Sequence, residues 1–221
     1  MATRQPERRY ADESSVAITR RDDGTATITG YASVFYREGE PGTEYRLFDT
    51  VYERIAPGAF ERAIDEDDVR ALFNHDSNFV LGRNAAGTLR LTEDSVGLRY
   101  EIEPPDTEQA RGVLASVERG DVSGSSFAFI PTRTKISEEE GRTVREIRAV
   151  ELFDVGPVTY PAYPATTSGV RGVDAEAIRA EIRNHQATGA DLVRDQRQAT
   201  MFSNAVNIAA DLARAGLRTD I

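Results

Sequence analysis

The side chains best able to do chemistry in this sequence are a histidine, a cluster of hydroxyls and two acids, which lie on three separate apolar segments. His75 follows the apolar run 69–73, and a histidine titrates near neutral pH, which suits a general base. The hydroxyl cluster at 123–126 leads into a second apolar run, and Glu151 and Asp154 lie on a third. A base, a nucleophile and an acid on three predicted strands indicate a serine hydrolase.

The residues alone leave two of these roles open. Spacing does not choose among Ser123, Ser125 and Ser126 as the nucleophile, and the chain has no Gly-x-Ser-x-Gly elbow. Glu151 and Asp154 are three residues apart, so in a regular strand they face opposite sides and only one can reach the histidine. Each of these side chains also has an ordinary structural interpretation, as a turn histidine, a strand-start serine or a solvent-facing acid.

Composition excludes several classes of function. The 221 residues carry a formal net charge of -10, which phosphate backbones would repel, so no nucleic-acid partner is predicted. The absence of cysteine excludes disulfides and thiolate metal sites and fits a cytosolic protein. One well-placed histidine and the lack of a His-Glu-x-x-His motif argue against a zinc hydrolase, and no metal or other cofactor is predicted. No apolar run approaches the length of a membrane span, so no membrane partner is predicted.

The pattern of elements predicts an α+β fold. Alternating β-branched residues on both sides of the Asp-Gly turn at 23–24 predict a hairpin. The clearest helix runs from about 107 to 119, where Ala110, Val113, Leu114 and Val117 form one apolar stripe. Many short strands with two inserted helices predict a mostly antiparallel barrel or sandwich with helices at its rim.

The ends of the chain differ from its middle. Residues 1–14 are polar and are predicted to be disordered. From about residue 172 the chain has few large apolar residues and a weak helical pattern. Residues 172–221 are therefore predicted to form a helical tail or a scaffold-like segment, which leaves 15–171 as the main domain.

A series of short patches extends this interpretation. In chain order they are GYASVF at 30–35, ERIAPGAF at 53–60, LFNHD at 72–76, LG at 81–82, DSVGL at 94–98, GDVSGSSFAF at 120–129 and LFDVGPVTYPA at 152–162. Together they resemble the prohead (capsid maturation) serine proteases of tailed bacteriophages, which are distant relatives of the herpesvirus assemblins. The order of the patches carries the resemblance, since any one of them is weak.

The resemblance implies a fold, a function and a location. The fold would be an assemblin-like β-barrel surrounded by helices, with residues 15–171 as the protease domain. The function would be a serine endopeptidase that cuts the capsid scaffold and the delta segment of the capsid protein, and often itself, inside the phage prohead in the host bacterial cytoplasm. Because assemblins dimerise, a homodimer is also implied. The alternative is a non-catalytic capsid-assembly or scaffold-like interaction protein that retains the barrel.

The resemblance also implies site residues. The histidine of the family corresponds to His75, its serine to Ser126, and its third, orienting residue to Asp154. Two departures concern the third residue, since an aspartate stands where the family usually has glutamate and Gly156 stands where it usually has serine. Glu151 is the alternative orienting acid. The oxyanion hole is expected to use backbone N–H groups, for which the turn at 161–163 is one candidate.

Overall fold

The computed structural model describes residues 6–11, 16–160 and 174–187, and the chain divides into two compact units, Met1–Val173 and Asp174–Ile221. The described residues of the first unit form eleven strands: β1 Glu7–Ala11, β2 Ala17–Arg20, β3 Ala26–Val34, β4 Tyr45–Phe48, β5 Val51–Ile55, β6 Arg70–Leu72, β7 Val80–Arg83, β8 Leu89–Glu93, β9 Gly97–Ile102, β10 Gly124–Glu139 and β11 Arg142–Val158. Its α-helices are α1 Glu61–Glu66 and α2 Glu108–Glu118, and a 3-10 turn spans Asn84–Ala86.

The strands lie in two sheets. The larger has the order β1-β10-β11-β5-β4, with β6 paired to β11 and β7 paired to β6, and the smaller has the order β2-β3-β9-β8. The α+β class is therefore confirmed, but the described strands form no closed barrel, and the predicted barrel is not confirmed. In the larger sheet, the first half of β11 pairs with β5 and its second half with β6, both in parallel. Strand patterns in the sequence do not reveal that one long strand has two successive partners.

The predicted hairpin and long helix are confirmed. Strands β2 and β3 pair in antiparallel fashion around the Asp-Gly turn. Thr107 caps α2 by accepting a hydrogen bond from the Ala110 N–H, as expected for a threonine at this position. The four residues of the predicted stripe are all buried, and they join a core to which both sheets and both helices contribute: Ile28, Phe35, Phe60, Leu81, Leu98, Tyr100, Ile102, Phe127, Phe129, Ile147 and Val155 are among its members.

The structure corrects the prediction that the N-terminal segment is disordered. Residues Glu7–Ala11, predicted to be disordered, form β1 and pair with β10 in antiparallel fashion. The prediction was wrong here because it took the charges of this segment as solvent-exposed, whereas the Arg9 side chain is fully buried and paired with acids. Residues 1–5 and 12–14 of the predicted disordered segment lie outside the described residues.

In the second unit, residues 175–187 are helical. The rest of the predicted helical tail lies outside the described residues. Of the helices in the described ranges, none combines the length and the apolar character needed to cross a membrane.

Candidate active site

The turn between β6 and β7 carries His75 in an unusual backbone conformation. Asn74 and His75 have φ values of 56° and 58°, a left-handed region that costs non-glycine residues about 1–3 kcal/mol each. The Asn74 side chain holds the turn against the end of β11, because its Nδ2 donates to Thr159 Oγ1 (3.0 Å) and its Oδ1 accepts from the Thr159 N–H (2.8 Å). The Asn74 N–H also donates to the Pro157 carbonyl at 3.1 Å. The histidine is thus fixed by its neighbour.

A glycine allows β6 to lie close to β11. A Cβ atom added to Gly156 would lie 2.1 Å from the Leu72 carbonyl oxygen, and the φ of this glycine is 154°. Only glycine therefore permits the close parallel pairing in which Asp154 lies beside Arg70 and Val155 beside Ala71. The departure from serine at position 156 thus fits this close approach, which brings the end of β6, and the turn after it, against β11.

Three side chains meet at this point in a hydrogen-bonded line. His75 Nδ1 lies 2.5 Å from Asp154 Oδ1, and His75 Nε2 lies 2.5 Å from Ser126 Oγ. An ionised carboxylate can only accept hydrogen bonds, so beside it Nδ1 carries the proton. In the neutral imidazole this leaves the Nε2 lone pair facing the serine hydroxyl, which is the tautomer that a general base requires.

The structure also separates the three candidate serines. Neighbouring residues of β10 point to opposite faces, so Ser125 turns away from the histidine and its hydroxyl pairs with the Tyr100 hydroxyl at 2.7 Å. Burial raises the pKa of Tyr100, which keeps this phenol neutral. Ser123 precedes β10 and is exposed. Of the three, Ser126 is the one in contact with His75.

The two candidate acids are separated in the same way. Glu151 is exposed, whereas the Asp154 side chain is only 12% exposed and contacts His75. Where β11 pairs with β10, Asp154 lies opposite Ala128 and Gly156 lies opposite Ser126. The shorter aspartate reaches the imidazole from this position.

Comparison with known proteins identifies the family. Residues 14–180, well over half of the chain, match the model of the family described as caudovirus prohead serine protease. The chain belongs to this family. The resemblance drawn from the ordered patches is therefore confirmed, and the class to which it points, prohead serine protease, is that of the family model.

Among solved structures, the chain is similar to the capsid assembly protease gp21 of bacteriophage T4. The TM-score is 0.43 at 11% sequence identity, with 70% of this chain and 98% of that chain covered. No protein with a curated description matches the sequence. Membership of the prohead protease family rests on the match over residues 14–180.

Two residues of β1, which the sequence patterns did not indicate, also lie at the site of this prohead protease. Strand β1 passes over the serine, and Ser126 Oγ lies 2.9 Å from the Arg9 carbonyl oxygen, to which it can donate. The Tyr10 ring lies edge-on to the imidazole of His75, with 6.3 Å between ring centroids. Ser126 is fully buried. No pattern in the sequence signals this contact, because it depends on the pairing of β1 with β10.

A buried ion cluster fixes the arginine of β1. Arg9 Nε lies 2.5 Å from one oxygen of the Glu53 carboxylate, and Arg145 Nη1 lies 2.5 Å from the other. Burial raises the pKa of Glu53, but the two arginines outweigh this effect and hold the pKa below its usual value. Burial lowers the pKa of Arg9, but Glu53 and Glu7 outweigh it and raise the pKa above its usual value. Glu53 and Arg9 are therefore both charged at neutral pH.

Two further expectations concern groups at the site. The turn at 161–163, proposed as an oxyanion-hole donor, lies outside the described residues. Within the ranges 6–11, 16–160 and 174–187, no three histidine, aspartate or glutamate side chains are grouped so as to hold a metal ion.

Proposed function

We propose that this chain is a serine endopeptidase that cleaves the capsid scaffold and the delta segment of the major capsid protein during prohead maturation. The observation that carries the proposal is the hydrogen-bonded line from Ser126 through His75 to Asp154. Membership of the prohead serine protease family supports both the class of reaction and the capsid as its setting. The protein would act inside the phage prohead, in the host bacterial cytoplasm.

In the proposed mechanism Ser126 Oγ attacks the carbonyl carbon of a peptide bond while His75 Nε2 takes the hydroxyl proton. The C–N bond then breaks, His75 returns the proton to the leaving amine, and an acyl-enzyme remains. A water molecule then attacks the acyl-enzyme with the same help from His75, which releases the carboxylic acid product and restores the Ser126 hydroxyl. Asp154 holds the proton on Nδ1 and stabilises the imidazolium that forms in each step. Backbone N–H groups stabilise the oxyanion.

The domain organisation and assembly are part of the same proposal. Residues 15–171 form the protease domain, and residues 172–221 form a tail that is itself a scaffold-like or self-cleaved segment. A homodimer follows from the likeness to assemblins that the sequence patches suggest. Size-exclusion chromatography with light scattering checks this oligomeric state.

The test is co-expression of the chain with the scaffold and major capsid protein of the same phage, followed by intact-mass analysis. We expect wild-type protein to shorten these substrates, and Ser126→Ala and His75→Ala each to abolish the cleavage while thermal unfolding shows an intact fold. Ser125→Ala is the matched control and should retain cleavage. Full activity of Ser126→Ala would disprove the nucleophile assignment.

The non-catalytic alternative predicts a different result in the same experiment. A protein that keeps the fold but not the chemistry would leave the scaffold and capsid protein at full length, and its serines would not react with a fluorophosphonate probe. Such a probe reports an activated serine without any knowledge of the substrate. The serine oxygen forms a bond to phosphorus, fluoride leaves, and the hydroxyl proton passes to the histidine.

A further inference from the structure

The strand β1 lies across the nucleophile in the manner of an extended peptide. It pairs with β10 in antiparallel register, with Tyr10 opposite Ser126 and Arg9 opposite Phe127. The Arg9 carbonyl oxygen is 2.9 Å from Ser126 Oγ, and the serine is 0% exposed. In this arrangement no second peptide can reach the hydroxyl.

The same contact withholds the proton that catalysis needs. A serine hydroxyl has one proton, which it can donate either to the Arg9 carbonyl or to Nε2 of His75. When the proton points to the carbonyl of β1, the serine oxygen is not activated. A substrate carbonyl would instead present its carbon to the serine and its oxygen to an oxyanion hole.

The side chain of Arg9 fills a pocket built for a cation. Its guanidinium pairs with Glu53, whose side chain is 0% exposed, and lies 5.3 Å from the centre of the Phe129 ring. If β1 left, Glu53 would keep Arg145 on one oxygen and lose the partner of the other. A buried carboxylate oxygen without a donor is costly, so the vacated pocket favours an incoming arginine side chain.

The family comparison sets β1 apart from the rest of the site. The residues that match the family begin at 14, whereas β1 spans Glu7–Ala11. His75, Ser126 and Asp154 all lie within the matched range. The strand that covers the serine is therefore outside the part of the chain that the family model describes.

We propose that the edge of β10 occupied by β1 is the substrate-binding edge, where a peptide adds as an extended strand with an arginine side chain in the Glu53 pocket. In the described conformation β1 occupies this edge as an internal peptide and keeps the protease latent. Since the carbonyl of Arg9 is the one that lies against the serine, the arginine of the substrate would be the residue on the acyl side of the cleaved bond. This inference rests on the proposed function.

A reversible crosslink tests the role of β1. The chain has no cysteine, and Arg8 pairs with Ala128 across β1 and β10, so Arg8→Cys/Ala128→Cys creates a single disulfide that locks the strand in place. We expect the oxidised variant to react with a fluorophosphonate probe about tenfold or more slowly than the same protein after reduction. The two single-cysteine variants, treated identically, should show no such difference.

The outcomes separate the two proposals. Equal labelling of the oxidised and reduced forms would overturn the role of β1 and leave the serine protease intact. If neither the reduced variant nor the wild-type protein is labelled after incubation long enough for β1 to open, the serine is not activated, and the proposed function and this inference fail together. Faster labelling after reduction supports both.

Peptidyl phosphonate probes test the Glu53 pocket. In these probes a phosphonate ester replaces the carbonyl that the serine attacks, so the residue before it occupies the position of Arg9. We expect an arginine probe to label the reduced variant about tenfold or more faster than its norleucine counterpart, because only the guanidinium can pair with the buried carboxylate. Equal rates would overturn the pocket assignment.

Discussion

The replacement of Asp154 by asparagine is the sharpest test of the site, because it removes one charge and preserves the size of the side chain. Asp154 lies 2.5 Å from His75 Nδ1, and its carboxylate faces the positive charge that the imidazole gains when it takes the serine proton. The amide would also be free to present its N–H to Nδ1, which would move the imidazole proton to Nε2. In that tautomer the histidine cannot accept the serine proton.

The expected loss follows from the geometry. The imidazolium charge is spread over the ring, so a separation of about 4 Å between charge centres is appropriate, and at an effective dielectric of about 20 this interaction amounts to about 4 kcal/mol. Each factor of ten in rate corresponds to roughly 1.4 kcal/mol, so Asp154→Asn should slow the reaction about a thousandfold. The loss should fall on kcat, since the aspartate acts on the charge that develops in the transition state.

The assay is the second-order rate of fluorophosphonate labelling, together with capsid-protein cleavage followed by intact mass. Wild type and variant share β1, so its opening equilibrium cancels in their ratio. Glu151→Gln is the matched control, because it removes a charge three residues away on the same strand from an exposed side chain, and it should react at the wild-type rate. The reasoning is refuted if Asp154→Asn stays within about tenfold of wild type, or if Glu151→Gln loses as much.

Two further predictions concern backbone packing and pH. Gly156→Ala places a Cβ atom 2.1 Å from the Leu72 carbonyl oxygen, so it should destabilise the protein by about 1–3 kcal/mol or more and slow the labelling of the serine. Gly112→Ala, which has open space around it in α2, should instead stabilise the protein by up to about 1 kcal/mol. Urea unfolding measures both changes, and equal effects of the two substitutions would contradict the packing argument. Because the pKa of Glu53 is lower in the folded protein than its ordinary value of 4.5, its stabilisation is complete above that pH and is lost as the pH falls through the folded-state pKa. The free energy of unfolding should therefore fall on acidification below about pH 4.5, and Glu53→Gln, although less stable at neutral pH, should lose less; an equal loss in both proteins would assign the acid sensitivity to other groups.

The three side chains that the structure brings together are predicted from the sequence because each lies in a short patch that resembles a known family. His75, Ser126 and Asp154 were selected by their place in these patches, and the residues alone left Ser125 and Glu151 as open alternatives. The structure separates the pairs by strand geometry: Ser125 points to the face opposite Ser126, and Glu151 is exposed. Such distinctions depend on where a strand begins and where it bulges, which a sequence pattern does not locate.

The parts that could not be predicted depend on pairing between distant segments. The residues of β1 are predicted to be disordered because charged residues are rarely buried, and the sequence does not show that Arg9 meets Glu53, 44 residues away. The branching of the larger sheet at β11 could not be predicted for a related reason, since the alternating pattern of β11 gives its faces but not its neighbours. The role of Gly156 likewise becomes visible only when the Leu72 carbonyl is in place.

The buried ion cluster is better understood as a device for alignment than as a source of stability. Burying two charges costs several kcal/mol, about what their attraction returns, so the pair of Arg9 with Glu53 adds little to the net free energy of folding. Its effect is on the register of β1. A slip of one residue would turn Arg9 to the opposite face and leave Glu53 without its second partner, which is strongly unfavourable. Because the register is fixed in this way, the carbonyl that faces Ser126 is always that of Arg9, and the same constraint would align an arginine-containing substrate for attack.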